Sequence, residues 1–137
     1  MSAILNLLGT LKTALAASAI AVSDSFDPAP FERRKPPRYL VLGVGKINST
    51  PPRITADGTI YPLVVGISLS LYDLPDADAN SMIACLEDEI LGRLLDAGIA
   101  PVQMQIAPVC YDRTTDKRLL RAELTLACGY QRKAAAV

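Results

Sequence analysis

Between Arg53 and Tyr72 the chain alternates apolar and small or polar positions with a period of two. Tyr61, Leu63, Val65, Ile67, Leu69 and Leu71 fall on one face, and Pro62, Val64, Gly66, Ser68, Ser70 and Tyr72 on the other. This predicts a long β-strand with one buried face. Asp57-Gly58 ahead of it predicts a hairpin turn back to a short strand. Burying one aliphatic side chain is worth about 1.5 to 3 kcal/mol, so sliding this strand by one residue would cost on the order of 10 kcal/mol. The register is therefore well determined.

Other segments carry their own periods. Ile4, Leu8, Leu11 and Leu15 recur at helical spacing, which predicts a helix over residues 3–18. Ser23 to Arg38 holds Pro28, Pro30, Pro36 and Pro37 among charges, and predicts an extended connector. Tyr39 to Val44 reads as a strand, and Asn48 to Pro52 as a loop. Ala79, Ile83, Leu86, Ile90 and Leu94 form the stripe of a second helix that Gly98 and Pro101 end. A closing hairpin follows. Val102, Met104 and Ile106 alternate with Gln103 and Gln105, the run Asp112 to Lys117 turns the chain, and Leu120, Ala122, Leu124, Leu126, Cys128 and Tyr130 share a face on the return. The predicted class is α+β, a mainly antiparallel sheet with two helices packed on one face, in a single domain spanning 1–137. No internal repeat is present.

Composition narrows the chemistry. Fourteen basic and fourteen acidic residues cancel, so no long-range field draws the protein to nucleic acid or to an anionic membrane. The absence of histidine removes the commonest general base and the commonest zinc ligand. Cys85, Cys110 and Cys128 lie in apolar patterns and read as buried free thiols of a reducing compartment. Ile4 to Val22 is apolar, but no basic residue precedes it and Lys12 interrupts it. We therefore expect an amphipathic helix and not a secretory leader or a membrane span.

Candidate chemical groups each have a structural explanation. Gly43-Val44-Gly45-Lys46 follows a strand as a phosphate loop does, yet Ile47 stands where Ser or Thr is needed and Pro51-Pro52 block the following helix. Asp73, Asp76 and Asp78 could hold a hard cation, but they precede a helix and read as caps. Glu87-Asp88-Glu89 reads as a solvated helix face. Arg33, Arg34, Lys35 and Arg38 form the basic cluster, suited to a solvated linker, a subunit contact or a DNA contact. The small side chains at Val64, Gly66, Ser68 and Ser70 leave room for another sheet or subunit, or simply face water. No catalytic, cofactor or metal residues are assigned, and the chain is not expected to be an enzyme.

The order of elements resembles the tail terminator and tail-completion proteins of long-tailed bacteriophages. The resemblance rests on the helix over Leu5 to Leu15, the proline-containing strand Ile60-Tyr61-Pro62-Leu63-Val64-Val65, the helix over Ser81 to Ala97, and the hairpin ending Leu124 to Tyr130. It implies a structural virion protein of the tail and neck, assembled in the host cytoplasm. Such a protein forms a homo-oligomeric ring, commonly a hexamer, that caps the tail tube, stops its polymerisation and docks the neck or head connector. Implied partners are the tube protein, the connector and, in a contractile tail, the sheath. DNA would be passing cargo, with no membrane contact and no cofactor. Candidate subunit-contact residues are Arg33, Arg34, Lys35, Arg38, Asp57 and Gly58. Another neck or head-tail joining subunit fits the same layout; the alternative from a different class is a small-molecule-binding or enzyme domain using carboxylates alone.

If Asp73, Asp76 and Asp78 act as caps and partners within the fold, thermal melting with and without a chelator should give one midpoint. A chelator-induced fall of several degrees would mean that they hold a structural cation.

Overall fold

A computed structural model of the chain describes residues 3–16, 21–24 and 38–133. Helix α1 (Ala3–Ala16) is followed by strands β1 (Ala21–Asp24), β2 (Tyr39–Ser49), β3 (Arg53–Thr55) and β4 (Gly58–Asp73). Helix α2 runs through Ala79–Cys85, a wide π-type stretch Leu86–Leu91, and Gly92–Asp96. Strands β5 (Gln103–Ile106), β6 (Cys110–Asp112) and β7 (Lys117–Lys133) close the chain. One sheet holds all the strands in the order β1-β2-β4-β7-β5, with β3 also beside β4 and β6 also beside β7. All pairs are antiparallel except β1 with β2. The α+β class is as the sequence predicts.

The alternation in β4 decides where the core lies. Val65, Ile67, Leu69 and Leu71 are buried, and the β4–β7 register sets them opposite Leu126, Leu124, Ala122 and Leu120, which are buried too. Leu40 and Leu42 of β2 extend this face. Leu11 and Leu15 of α1 and Met82, Cys85, Leu86, Ile90 and Leu94 of α2 cover it. Both helices thus pack on one side of the sheet.

The stripe on α2 differs from the predicted one: Met82 is fully buried, whereas Ile83 is 41% exposed. Met82, Leu86, Ile90 and Leu94 recur every fourth residue, and on an ideal α-helix of 3.6 residues per turn such a series drifts steadily around the axis. The wide turn, in which the Gly92 N–H reaches the Glu87 carbonyl, takes up part of that drift. At the far end Gly98 adopts φ 79°, where glycine is favoured, and the N–H groups of Gly98 and Ile99 bond to the carbonyls of Leu95 and Leu94.

Three local predictions change. Ser23 and Asp24, assigned to the connector, belong to β1, which pairs with Tyr39 to Leu42. Residues 25–37 lie outside the described residues. The first predicted strand does not stop at Val44: β2 continues to Ser49 with a bulge between Val44 and Ile47, so Gly43 to Lys46 are strand and not loop. The bulge accounts for Gly66 in β4, since a Cβ there would sit 3.3 Å from the Lys46 carbonyl oxygen and 3.4 Å from its nitrogen. The hairpin turn consists of Ala56 and Asp57. Gly58, at φ 141°, opens β4 opposite Thr55, whose hydroxyl donates to the Gly58 carbonyl at 3.1 Å.

Ile67→Asp should abolish folding, because an unpaired carboxylate in this apolar core costs several kcal/mol. Ser68→Asp, on the opposite face, should leave circular dichroism and melting close to wild type. Equal melting of both variants would contradict the register. Gly66→Val should lower stability by about 1–3 kcal/mol in denaturant titration through collision with the Lys46 backbone, and a neutral result would show that the bulge yields.

Candidate assembly surfaces

The described residues among the predicted contacts lie at opposite ends of the sheet. Arg33, Arg34 and Lys35 fall outside the described residues. Arg38 stands directly before β2, while Asp57 and Gly58 occupy the tip of the β3–β4 hairpin. Tyr39 pairs with Tyr72 at one end of β4 and Gly58 begins the other end, so the two candidate regions are roughly 50 Å apart at a strand rise of about 3.4 Å per residue.

Arg38 is engaged inside its own chain. Its Nε donates to Asp73 Oδ2 at 2.7 Å and its Nη2 to Ser81 Oγ at 3.0 Å, while the Leu74 N–H donates to Asp73 Oδ1 at 2.8 Å. Asp73 is buried, and this charge-assisted bond ties the start of β2 to the end of β4 and the first turn of α2. Cys85 lies against the same cluster. Burial raises its pKa, and the nearby Arg38 guanidinium offsets this only in part. Of the three cysteines, Cys85 is buried as expected, Cys128 is half-buried and Cys110 is exposed.

Two other carboxylates near α2 also have structural partners. The Asp78 side chain caps the helix by accepting from the Asn80 N–H at 3.3 Å, and Glu89 lies 3.9 Å from Arg93 one turn on. Among the described residues no group of three or more Cys, Asp or Glu is placed to hold a metal ion. None of their helices is long and apolar enough to cross a membrane.

The sheet face away from the helices is small and polar at its centre. A shallow depression of about 550 Å³ is lined by Ser68, Ser70, Gln105, Arg121 and Glu123. Nearer Asp73, Tyr39 and Tyr72 stack with ring centroids 5.1 Å apart, Lys117 Nζ lies 5.5 Å from the Tyr39 centroid, and Leu119 is buried beside them in register with Tyr72. Sequence reasoning missed this aromatic pair. Its signal was the coincidence of tyrosines at the two ends of strands that pair, which is visible only once the register is known.

At the opposite end the sheet outruns its helices. β1 borders β2 only at Tyr39 to Leu42, and β5 borders β7 only as far as Thr125. Beyond these points β2 with β3, β4 and β7 form a three-stranded arm. The register sets Ile47 opposite Val65 and Ile54 opposite Thr59, so Ile47, Ile54 and Tyr61 project on the same side as the core. They remain 44%, 84% and 39% exposed. Tyr61 thus shares the predicted face without sharing its burial. Among the described residues a second uncovered apolar run lies along β5, where Val102, Met104 and Ile106 are 71%, 50% and 49% exposed.

No protein-family model matches the sequence. No curated protein sequence matches it either. Among solved structures, the fold is similar to the sheath/tube terminator of an extracellular contractile injection system, PVC, determined by cryo-EM in the extended state. The TM-score is 0.50 at 12% sequence identity. The likeness takes in 100% of this chain and 62% of that one, so this chain spans about 62% of the terminator's length, and at such identity the shared property is the fold.

Proposed function

We propose that this chain is a structural tail terminator, a single-domain subunit of a ring that caps a tail tube and ends its growth. The observation that carries the reading is the similarity of the whole chain to a sheath/tube terminator fold. The arm supports it: a subunit that binds ring neighbours on one side and a tube on another needs uncovered strand edges and apolar surface outside its own core, and Ile47, Ile54 and Tyr61 provide them.

In this reading the ring is a hexamer seated on the last ring of the tube protein. Its other side docks the neck or head connector, and in a contractile tail it also meets the sheath. DNA passes through the channel as cargo. The particle is a phage virion or a related injection machine, assembled in the host cytoplasm, and the subunit performs no catalysis and needs no cofactor. Contacts to neighbours fall on the hairpin tip with Asp57 and Gly58, and on the basic cluster Arg33, Arg34 and Lys35. Arg38 serves them indirectly, by anchoring to Asp73 and Ser81 the point where the connector enters β2.

Mass determination of the purified protein, electron imaging and growth of tube protein in its presence test this together. A ring with a central channel that shortens tubes to a uniform length is expected. Reversing the charge of Arg33, Arg34 and Lys35 should leave the melting curve unchanged and reduce ring formation. A monomer that leaves tube length unaltered would overturn the proposal.

A further inference from the structure

Among the described residues the sheet is open at both edges. β1 borders β2 alone and β5 borders β7 alone, and each is four residues long. The two run in opposite directions, because β1 is parallel to β2 whereas every later step, from β2 through β4 and β7 to β5, is antiparallel. The Ala107 N–H bonds to the Arg121 carbonyl of β7, so by alternation Gln103 and Gln105 also point to β7, and the N–H and C=O groups of Met104 and Ile106 point to the open edge. Met104 and Ile106 lie on the core face, opposite Leu124 and Ala122. A half-turn about the sheet normal exchanges the two edges and their directions, so β1 obeys the same rule: Val22, on the core face beside Leu40, turns its backbone groups outward. The two edges differ in cover. α1 touches β1 and Val22 is half-buried, whereas Met104 and Ile106 are 50% and 49% exposed.

From these edges we infer that β5 of one copy pairs antiparallel with β1 of the next, Ile106 opposite Val22 and Met104 opposite Asp24, so that the sheet continues from subunit to subunit. The inference rests on the terminator reading for its ring and deepens that reading by naming the ring contact. Three features select a second copy as the occupant. A strand edge is completed by another strand, and this chain itself offers an open one of equal length. Copies joined in one orientation bring β5 against a β1 that runs the opposite way, which gives the more stable antiparallel ladder. The neighbour's α1 arrives together with its β1, on the face where Met104 and Ile106 are bare. Because the two edges are different patches of one subunit, the contact is heterologous, repeats head to tail and generates a ring when the rotation closes. A contact of β5 with β5 would instead end at a two-fold dimer.

Sedimentation over a concentration series measures the contact, with thermal melting to verify the fold. Met104→Pro removes an N–H that points to the open edge, so it should melt close to the wild type and weaken association about ten-fold or more. Gln105→Pro removes an N–H that points to β7 and should lower the melting midpoint. Cysteine pairing gives an independent readout: Val22→Cys and Ile106→Cys are combined in a chain carrying Cys110→Ser and Cys128→Ala. Within one subunit these two positions lie on opposite edges, roughly 19 Å apart at about 4.8 Å per strand, so a disulfide between them forms only across copies. Oxidation should give a ladder of covalent multimers, and each single-cysteine chain should stay monomeric in denaturing electrophoresis. The inference is overturned if Met104→Pro associates like the wild type or melts as low as Gln105→Pro, if Ile106→Cys alone cross-links as fully as the pair, or if the wild type stays monomeric throughout. Rings that persist in Met104→Pro would reject this contact and leave the terminator reading standing. Rings that depend on it but do not arrest tube growth would support the contact and reject the terminator reading.

Discussion

The ladder between β4 and β7 is the constraint on which the rest depends. Sixteen consecutive residue pairs, from Gly58 with Lys133 to Asp73 with Arg118, run without a register shift. Because side chains alternate strictly along both strands, that register assigns every residue of the central sheet to one face. It brings Leu120, Ala122, Leu124 and Leu126 under the helices and turns Arg121 and Glu123 away from them. The helices, β2 and β5 are then placed against a surface already determined.

The same ladder is longer than the core it supports. Leu11 and Leu15 of α1 with the five buried residues of α2 cover the β4 face from Val65 to Leu71, and the remaining strand carries on as the arm. A globular domain serving only its own stability would gain little from unsupported strands with apolar residues on them, since open edges invite pairing with other chains. The arm's share of that exposure lies at the end away from the Arg38–Asp73 bond, and the run along β5 adds a second.

Much of this was legible in the sequence where the signal is local and periodic. The alternation from Tyr61 to Leu71 and from Leu120 to Cys128 gave strands and faces, though not that the two strands pair, and the spacing in α1 gave a helix that starts at Ala3, with positions 17 and 18 outside the described residues. What was missed depends on residues far apart in the chain. β1 is four residues long and exists because β2 offers an edge. The bulge at Gly45 and Lys46 makes sense only beside Gly66, and glycines near a strand end read equally well as a flexible terminus. The wide turn of α2 answers a packing demand that no single residue announces. At the assembly surfaces Asp57 and Gly58 pointed to the hairpin, but the exposure of Ile54 could not be read from composition, because an aliphatic residue in a strand pattern is normally assigned to a core.

The long ladder also sets an order of events. Asp73 and Arg118 are separated by the shortest intervening chain of any pair in it, and Gly58 and Lys133 by the longest, so closing the first pair loses less chain entropy than closing the last. Between β4 and β7, pairing is therefore slightly easier to start at the end that holds the helices than at the hairpin. The β3–β4 turn is shorter still, so the hairpin tip can close on its own strand before β7 reaches it. The core end and the hairpin tip thus close as separate local events, and the long ladder is what makes one sheet of them.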